Sequence, residues 1–209
     1  SHYFGDGFAK AFGIQFSDKN NTLQYPYQTS WGMTTRLIGA IIMTHGDDNG
    51  LVLPPAVAPI QAIVVPVAQH KEGVLEKANE LTERLKKVCR AKIDDSDNSP
   101  GWKFAEYEMK GVPVRVEIGP KDIEKNQCVV VTRHNREKTF VSLDDIETVI
   151  LEKLEEVRQG LYDSALENRE RRTYVAKTLD DITKQLEEHG DGFVKAMWCG
   201  SEECEEKVK

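Results

Sequence analysis

Apolar and polar positions along this chain follow distinct rhythms, and the most regular stretch begins at residue 60. IQAIVVPVA, residues 60 to 68, is an unbroken apolar run of strand length, as expected for a strand covered on both faces. EGVLEKANELTERLKKVCRA follows, with Val74, Ala78, Leu81, Leu85 and Val88 at helical spacing, which predicts one buried helix face. WKFAEYEMK predicts a short helix and GPKDIEKN a Gly-Pro loop. GVPVRVEIG (111 to 119) alternates as a half-buried strand does, and QCVVVTR (127 to 133) is another apolar run. Strand, helix, helix, strand, strand, helix over about 100 residues predicts an α/β domain with a mixed sheet. Its last helix starts at SLDD, with Ser142 as N-cap and Asp145 near the positive end of the helix dipole. Leu143, Ile146, Val149, Ile150, Leu154, Val157 and Leu161 form its apolar stripe.

The flanks are less regular. LQYPYQTSW predicts strand, with Pro26 confining it to an edge or a bend. TTRLIGAIIMTHG predicts a buried helix of about ten residues, with Gly39 permitting close packing. GDDNGLVLPPAVAP reads as a turn, a short apolar strand and a proline-rich link. From Asp163 the pattern weakens into a highly charged segment, helical with a break, and GFVKAMWCGSEECEEKVK ends in a strand-like run with a Cys pair. The expected division is 1–55, 56–162 and 163–209.

Composition narrows the class. With 39% hydrophobic and 30% charged residues the chain can build a core and stay in solution. No apolar run approaches the roughly 20 residues that cross a bilayer, and no signal-peptide order opens the sequence. SHYFGDGF lacks a Met and starts mid-pattern, which reads as a fragment. Without a secretory signal, four Cys argue against a disulfide framework, and a cytoplasmic location is expected. Cys89 and Cys128 sit in apolar patterns and read as small core residues. The net charge of −7 weighs against bulk polyanion binding, leaving only local cationic patches as a route to nucleic acid.

Three segments are more specific than periodicity. TSWGMTTR, followed by IGAIIMTHGDDNGLVLPP, resembles motif 3 of class II aminoacyl-tRNA synthetases, in the version found in prolyl-tRNA synthetases. PGWKFAEYEMKGVPVRVEIGPKDIEKNQCVVVTR resembles their anticodon-binding domain. MWCGSEEC is similar to the start of the zinc-binding C-terminal domain of the archaeal and eukaryotic-type enzymes. The resemblance implies the end of an antiparallel-sheet catalytic domain, then an α/β anticodon-binding domain, then a partial helical zinc-binding domain, α+β overall. The implied activity is ATP-dependent formation of prolyl-adenylate, with Mg2+, and transfer of proline to tRNA(Pro) by a homodimer.

That chemistry requires a fixed cation where negative charge develops. Arg36, planar and always charged, suits a triphosphate; in the family this Arg contacts ATP, and the Thr two positions earlier, here Thr34, binds the nucleotide. Gly32 permits close backbone approach, and Trp31 offers an apolar wall to the proline ring. SHYFGDGFAKAF resembles the family's TSHYLGQNFAKAF, whose His lies in the proline pocket; this places His2 against the substrate, with Phe4, Asp6 and Gly7 as departures. Motifs 1 and 2 do not occur in these residues, so the fragment alone is expected to be inactive.

For the anticodon, the candidate cations are Lys103, Arg115, Lys121, Arg133 and Arg136, with Trp102 and Phe104 as stacking surfaces. Arg115 and Glu117 share one strand face and either pair with each other or face base edges. With the resemblance, Arg115, Glu117 and Arg133 are the expected anticodon contacts. RERR at 169 to 172 reads as a solvated helix face. Cys199 and Cys204, at C-x4-C spacing, supply half of a zinc site; His189 fits a helix end better than a third ligand. The alternative function is a non-catalytic tRNA-binding or regulatory module on an anticodon-binding fold.

Overall fold

The computed structural model describes residues 1–207. The chain divides into two compact units, Ser1–Ile41 and the residues from Ile42 onward. The first unit holds β1 (His2–Gly5), α1 (Gly7–Phe12), β2 (Phe16–Ser17), β3 (Leu23–Gln24) and β4 (Gln28–Ser30), and α2 (Leu37–His45) crosses into the second. β1 pairs antiparallel with β4, placing His2 opposite Ser30 and Tyr3 opposite Thr29. β2 pairs with β3 across a turn in which the Asp18 carboxylate accepts from the N–H groups of Asn20 and Thr22. Pro26 lies between β3 and β4, a place where its missing N–H breaks no ladder. Ala9 is the one buried residue in this unit. The expectation that α2 would be buried is corrected: none of its residues is, and Ile38 and Met43 are well exposed. The run is apolar enough for a core, but among the described residues it is covered only in part, at Gly39 to Ile41 and at His45.

The second unit is built on a five-stranded sheet of β5 (Ala62–Pro66), β6 (Ala91–Ile93), β7 (Val114–Ile118), β8 (Gln127–Thr132) and β9 (Lys138–Ser142), in the order β6-β5-β7-β8-β9. β5 runs parallel to both neighbours, while β7–β8 and β8–β9 are antiparallel, so the sheet is mixed as expected. The helices are α3 (Val74–Leu85), α4 (Pro100–Met109), α5 (Pro120–Glu124) and α6 (Ile146–Arg171). Central position explains the unbroken apolar run of β5. Ala62 and Val64 join the main core with α3 and α6, whereas Ile63 and Val65 face a smaller cluster with Phe104 and Tyr107 of α4. β7 alternates for the same reason: Val114, Val116 and Ile118 enter the main core, and Arg115 and Glu117 take the other face.

Three local expectations are corrected. GPKDIEKN is not a loop but contains α5, whose start is tied by the Asp122 carboxylate accepting from the Gly119 N–H at 2.9 Å. The short strands β6 and β9 escaped the pattern because edge strands need bury little. Ser142 is the last residue of β9 rather than an N-cap; Asp145 holds that position before α6. The break expected in the charged segment is present: α6 runs through Asp163 to Arg171, and the next helix starts only at Leu179.

A strap precedes the sheet. Val52 enters the main core, while the N–H groups of Leu51 and Leu53 donate to Met109 O and Gly111 O at the end of α4. The boundary drawn at residue 55 therefore falls inside the second unit. After α6 come β10 (Thr173–Val175), α7 (Leu179–His189), β11 (Phe193–Lys195) and α8 (Glu202–Glu206), with β10 parallel to β11. Among the described residues no helix is long and apolar enough to cross a membrane.

Candidate functional site

The polar face of β7 opens into a cavity of about 160 Å³ between α4 and the β8–β9 turn. Strand alternation delivers Arg115, and helical spacing delivers Tyr107 and Glu108 beside it; Arg133, Arg136 and Lys138 come from the turn and its edges. Arg115 lies with its guanidinium carbon 4.3 Å from the centre of the Phe104 ring, and its Nε donates to Glu117 Oε1 at 2.9 Å. A cation stacked on an aromatic face and paired with a carboxylate has little freedom left. Of the two readings of Arg115 and Glu117 the pairing is present, and it fixes Arg115 where that side chain lines the cavity.

Arg133 is different. Its side chain is 3% exposed, its two terminal nitrogens donate to Asp47 Oδ2 and Oδ1 at 2.8 and 2.6 Å, and its Nε donates to Glu108 O. The expected anticodon contact is not offered by this geometry, because the side chain is buried and each of its three nitrogens already donates within the protein. Arg136 is half-exposed, with Nε at 2.8 Å from Glu108 Oε1 and Nη2 at 3.4 Å from Asp47 Oδ2. Asp47 is held ionised well below the usual carboxylate range, chiefly by hydrogen bonding from Arg133.

Lys103, expected as a surface cation, is a correction: it is buried, donating to Gln69 Oε1 at 3.0 Å and Asp94 O at 2.9 Å. Helical phase puts it on the side of α4 facing the loop after β6. Trp102 is half-exposed, and Lys121 is exposed on α5. Burial, with Asp94 beside it, raises the Tyr107 phenol to about 12. Sequence reasoning missed Tyr107, Glu108, Lys138 and Asp47. Spacing in FAEYE, with Phe104 and Glu108 four apart, carried a signal for Glu108; GDDNG read only as a turn.

In the first unit, the β1–β4 pairing sets His2 across from Ser30, the residue before Trp31. The His2 ring stacks on Phe4 with centroids 5.7 Å apart. Trp31 is 82% exposed, and the space that a side chain at Gly32 would take is open. Thr34 Oγ1 accepts from the Arg36 N–H at 3.3 Å in the turn that starts α2, and the Arg36 side chain is exposed.

Cys128 is buried and Cys89 half-buried, and burial pushes their thiols to about 12 and about 11, as inert core residues require. Cys199 and Cys204 are exposed. The Cys199 thiol is lowered, first by the Ser201 N–H and then by the Cys204 thiol, so the two sulfurs are neighbours. They supply two thiolates. Among the described residues no cluster of three or more His, Cys, Asp or Glu is placed to hold a metal, so these residues alone do not fit a closed tetrahedral zinc site. His189 ends α7 with its ring stacked on Tyr174 at 4.1 Å. Arg169 pairs with Glu170 and Arg172 with Asp191 on a solvated surface, as expected.

Comparison with known proteins covers the whole chain. The family described as "Anticodon binding domain" matches residues 61–153. A proline–tRNA ligase of Ruminiclostridium cellulolyticum is 64% identical over all 209 residues, and one of Clostridium novyi is 62% identical over the same span. The chain spans 44% of the length of these curated relatives. Among solved structures, prolyl-tRNA synthetase from Cryptosporidium parvum, complexed with L-proline and AMP, superposes with a TM-score of 0.91 at 41% identity, over 100% of this chain and 45% of that one.

Proposed function

From its similarity to prolyl-tRNA synthetases over all 209 residues, we propose that this chain is part of a cytoplasmic, homodimeric proline–tRNA ligase. In this reading the first unit ends the catalytic domain, the five-stranded sheet and helices of the second read the anticodon of tRNA(Pro), and residues 163–209 begin a zinc-binding C-terminal domain. The observation that carries it is identity of 64% over every residue, including both site segments.

In the first unit, Arg36 is the cation for the ATP phosphates, in place before charge develops as the proline carboxylate attacks the α-phosphorus. Thr34 contacts the nucleotide and orders the turn that aims Arg36. His2, Trp31 and Gly32 line the proline side, where exposure leaves them accessible. Mg2+ accompanies ATP as a charge-neutralising ion. Without motifs 1 and 2 the 209 residues do not hold both substrates in reactive geometry, and do not catalyse alone.

In the second unit, the cavity beside Phe104 and Arg115 accepts unstacked anticodon bases. Arg115 and Glu117 offer donors and an acceptor in fixed positions, Glu108 and Arg136 line the same opening, and Lys138 meets the RNA backbone. Arg133, held by Asp47, is a fixed part of the same lining. Cys199 and Cys204 are zinc ligands in the complete C-terminal domain, with the remaining ligands from outside the described residues.

Proline-dependent ATP–pyrophosphate exchange by the longer protein is the test. Exchange is expected, with Arg36→Ala lowering kcat/KM for ATP by roughly 100-fold or more. RNA binding without exchange would instead establish the alternative, a non-catalytic tRNA-binding module.

A further inference from the structure

We infer that Asp47 is the positioning residue of the anticodon cavity: from the turn after α2 it locks Arg133 and draws on Arg136, and so sets how much positive charge the cavity offers to RNA. The inference rests on the anticodon reading of that cavity and assigns a determinant outside residues 61–153, the span of the anticodon-binding domain match.

Three observations carry it. First, Arg133 is buried and would be an uncompensated charge without Asp47, whose two oxygens it meets at 2.8 and 2.6 Å. Second, Asp47 cannot easily withdraw. Its Oδ1 accepts from the Asn49 N–H, and its own N–H and C=O exchange hydrogen bonds with Gly50. Gly50 in turn lies so close to the end of α4 that an added Cβ would stand 2.5 Å from Met109 Cα. Third, the same carboxylate reaches Arg136, the half-exposed guanidinium at the mouth of the cavity, which it shares with Glu108.

The consequence is electrostatic. Arg115 is balanced by Glu117, Arg133 by Asp47, and Arg136 by Asp47 and Glu108. With three of its four lining cations so balanced and Lys138 left for the backbone, the cavity attracts phosphates weakly and favours ligands whose base edges match its donors and acceptors. Removing the Asp47 carboxylate releases guanidinium charge toward phosphate, which strengthens sequence-independent binding and erodes discrimination.

The test is fluorescence-anisotropy titration of the 209-residue chain with two RNA stem-loops, one bearing a proline anticodon and one with those bases changed, across a salt series. The unchanged chain is expected to prefer the first. Asp47→Asn is expected to reduce that preference roughly tenfold and to steepen the dependence of log K on log salt by about 1, the contribution of one added phosphate contact; Asp47→Glu restores both. Equal weakening of both RNAs with an unaltered slope would mean a merely structural residue and overturns the inference, as does an unaltered preference. If Asp47→Asn fails to fold, Arg136→Gln in the otherwise unchanged chain decides: a slope within about half a unit supports a guanidinium already balanced, and flattening by about 1 overturns it. If the unchanged chain binds both RNAs equally, the anticodon reading of the cavity itself fails.

Discussion

The imidazole of His134, in the turn between β8 and β9, lies so close to Gly160 of α6 that a Cβ there would stand 2.6 Å from its Cδ2. Its Nδ1 is buried without a hydrogen-bond partner among the described residues. Glycine inside a helix is unfavourable by about 1 kcal/mol relative to alanine, so its presence here reflects the ring above it. Gly160→Ala is therefore expected to destabilise the chain by about 1 kcal/mol net of that helical gain. In a His134→Ala background the same change becomes stabilising by up to about 1 kcal/mol. Urea unfolding of the four chains measures the reversal of sign. Burial also lowers the His134 pKa from its ordinary 6.5, outweighing Glu156 and Glu137, which raise it. Between the lowered value and 6.5 the unfolded chain binds more protons, so this stabilisation is lost as pH falls below 6.5. The difference in unfolding free energy between unchanged and His134→Ala chains should shrink over that window.

Element formation follows local chemistry wherever burial is one-sided. α3 was legible because Val74, Ala78, Leu81 and Leu85 are all buried, the last three in the main core; Val88 lies past the helix end and is partly exposed. α4 shows what capping adds: Ser99 Oγ accepts from the Trp102 N–H, and Pro100 follows at the first helical position. Since Phe104, Tyr107 and Glu108 are aimed by this helix, Ser99→Ala should cost about 1 kcal/mol of stability. Circular-dichroism melts would record it, and the loss should be partly restored by Ser99→Asp. The strands β6 and β9 were not legible because three or five residues at a sheet edge bury too little to impose a period. α5 was hidden by its Gly-Pro opening, which looks like a loop until Asp122 turns back to the Gly119 N–H.

At the scale of the whole molecule the two units differ in what holds them. With Ala9 its one buried residue, Ser1–Ile41 has little burial to oppose chain entropy, whereas the second unit surrounds a sheet with two cores. Hydrogen exchange should find the amides of β5, β7 and β8 protected to near the global stability, and those of residues 1–41 exchanging orders of magnitude faster. A chain started at residue 61, where the domain match begins, discards Asp47, Val52 and the bonds of Leu51 and Leu53 to α4. Such a chain should be less stable than one started at residue 42 by about 3 kcal/mol or more, because Arg133 would stay buried without its carboxylate. Denaturant midpoints of the two would show it. The net charge of −7 fits this molecule as well: a balanced cavity selects by matched hydrogen bonds rather than by bulk attraction.

By itself the sequence determined the α/β class with a mixed sheet, the inward faces of β5, β7, α3 and α6, and the resemblance to prolyl-tRNA synthetases. Those rest on periodicity and on contiguous motifs, which are properties of neighbouring residues. Which cations remain available was decided only by the tertiary structure. Arg133 is claimed by a carboxylate 86 residues away and Lys103 by a glutamine 34 residues away. No local pattern records such partners, because charge pairing depends on where distant segments come to rest.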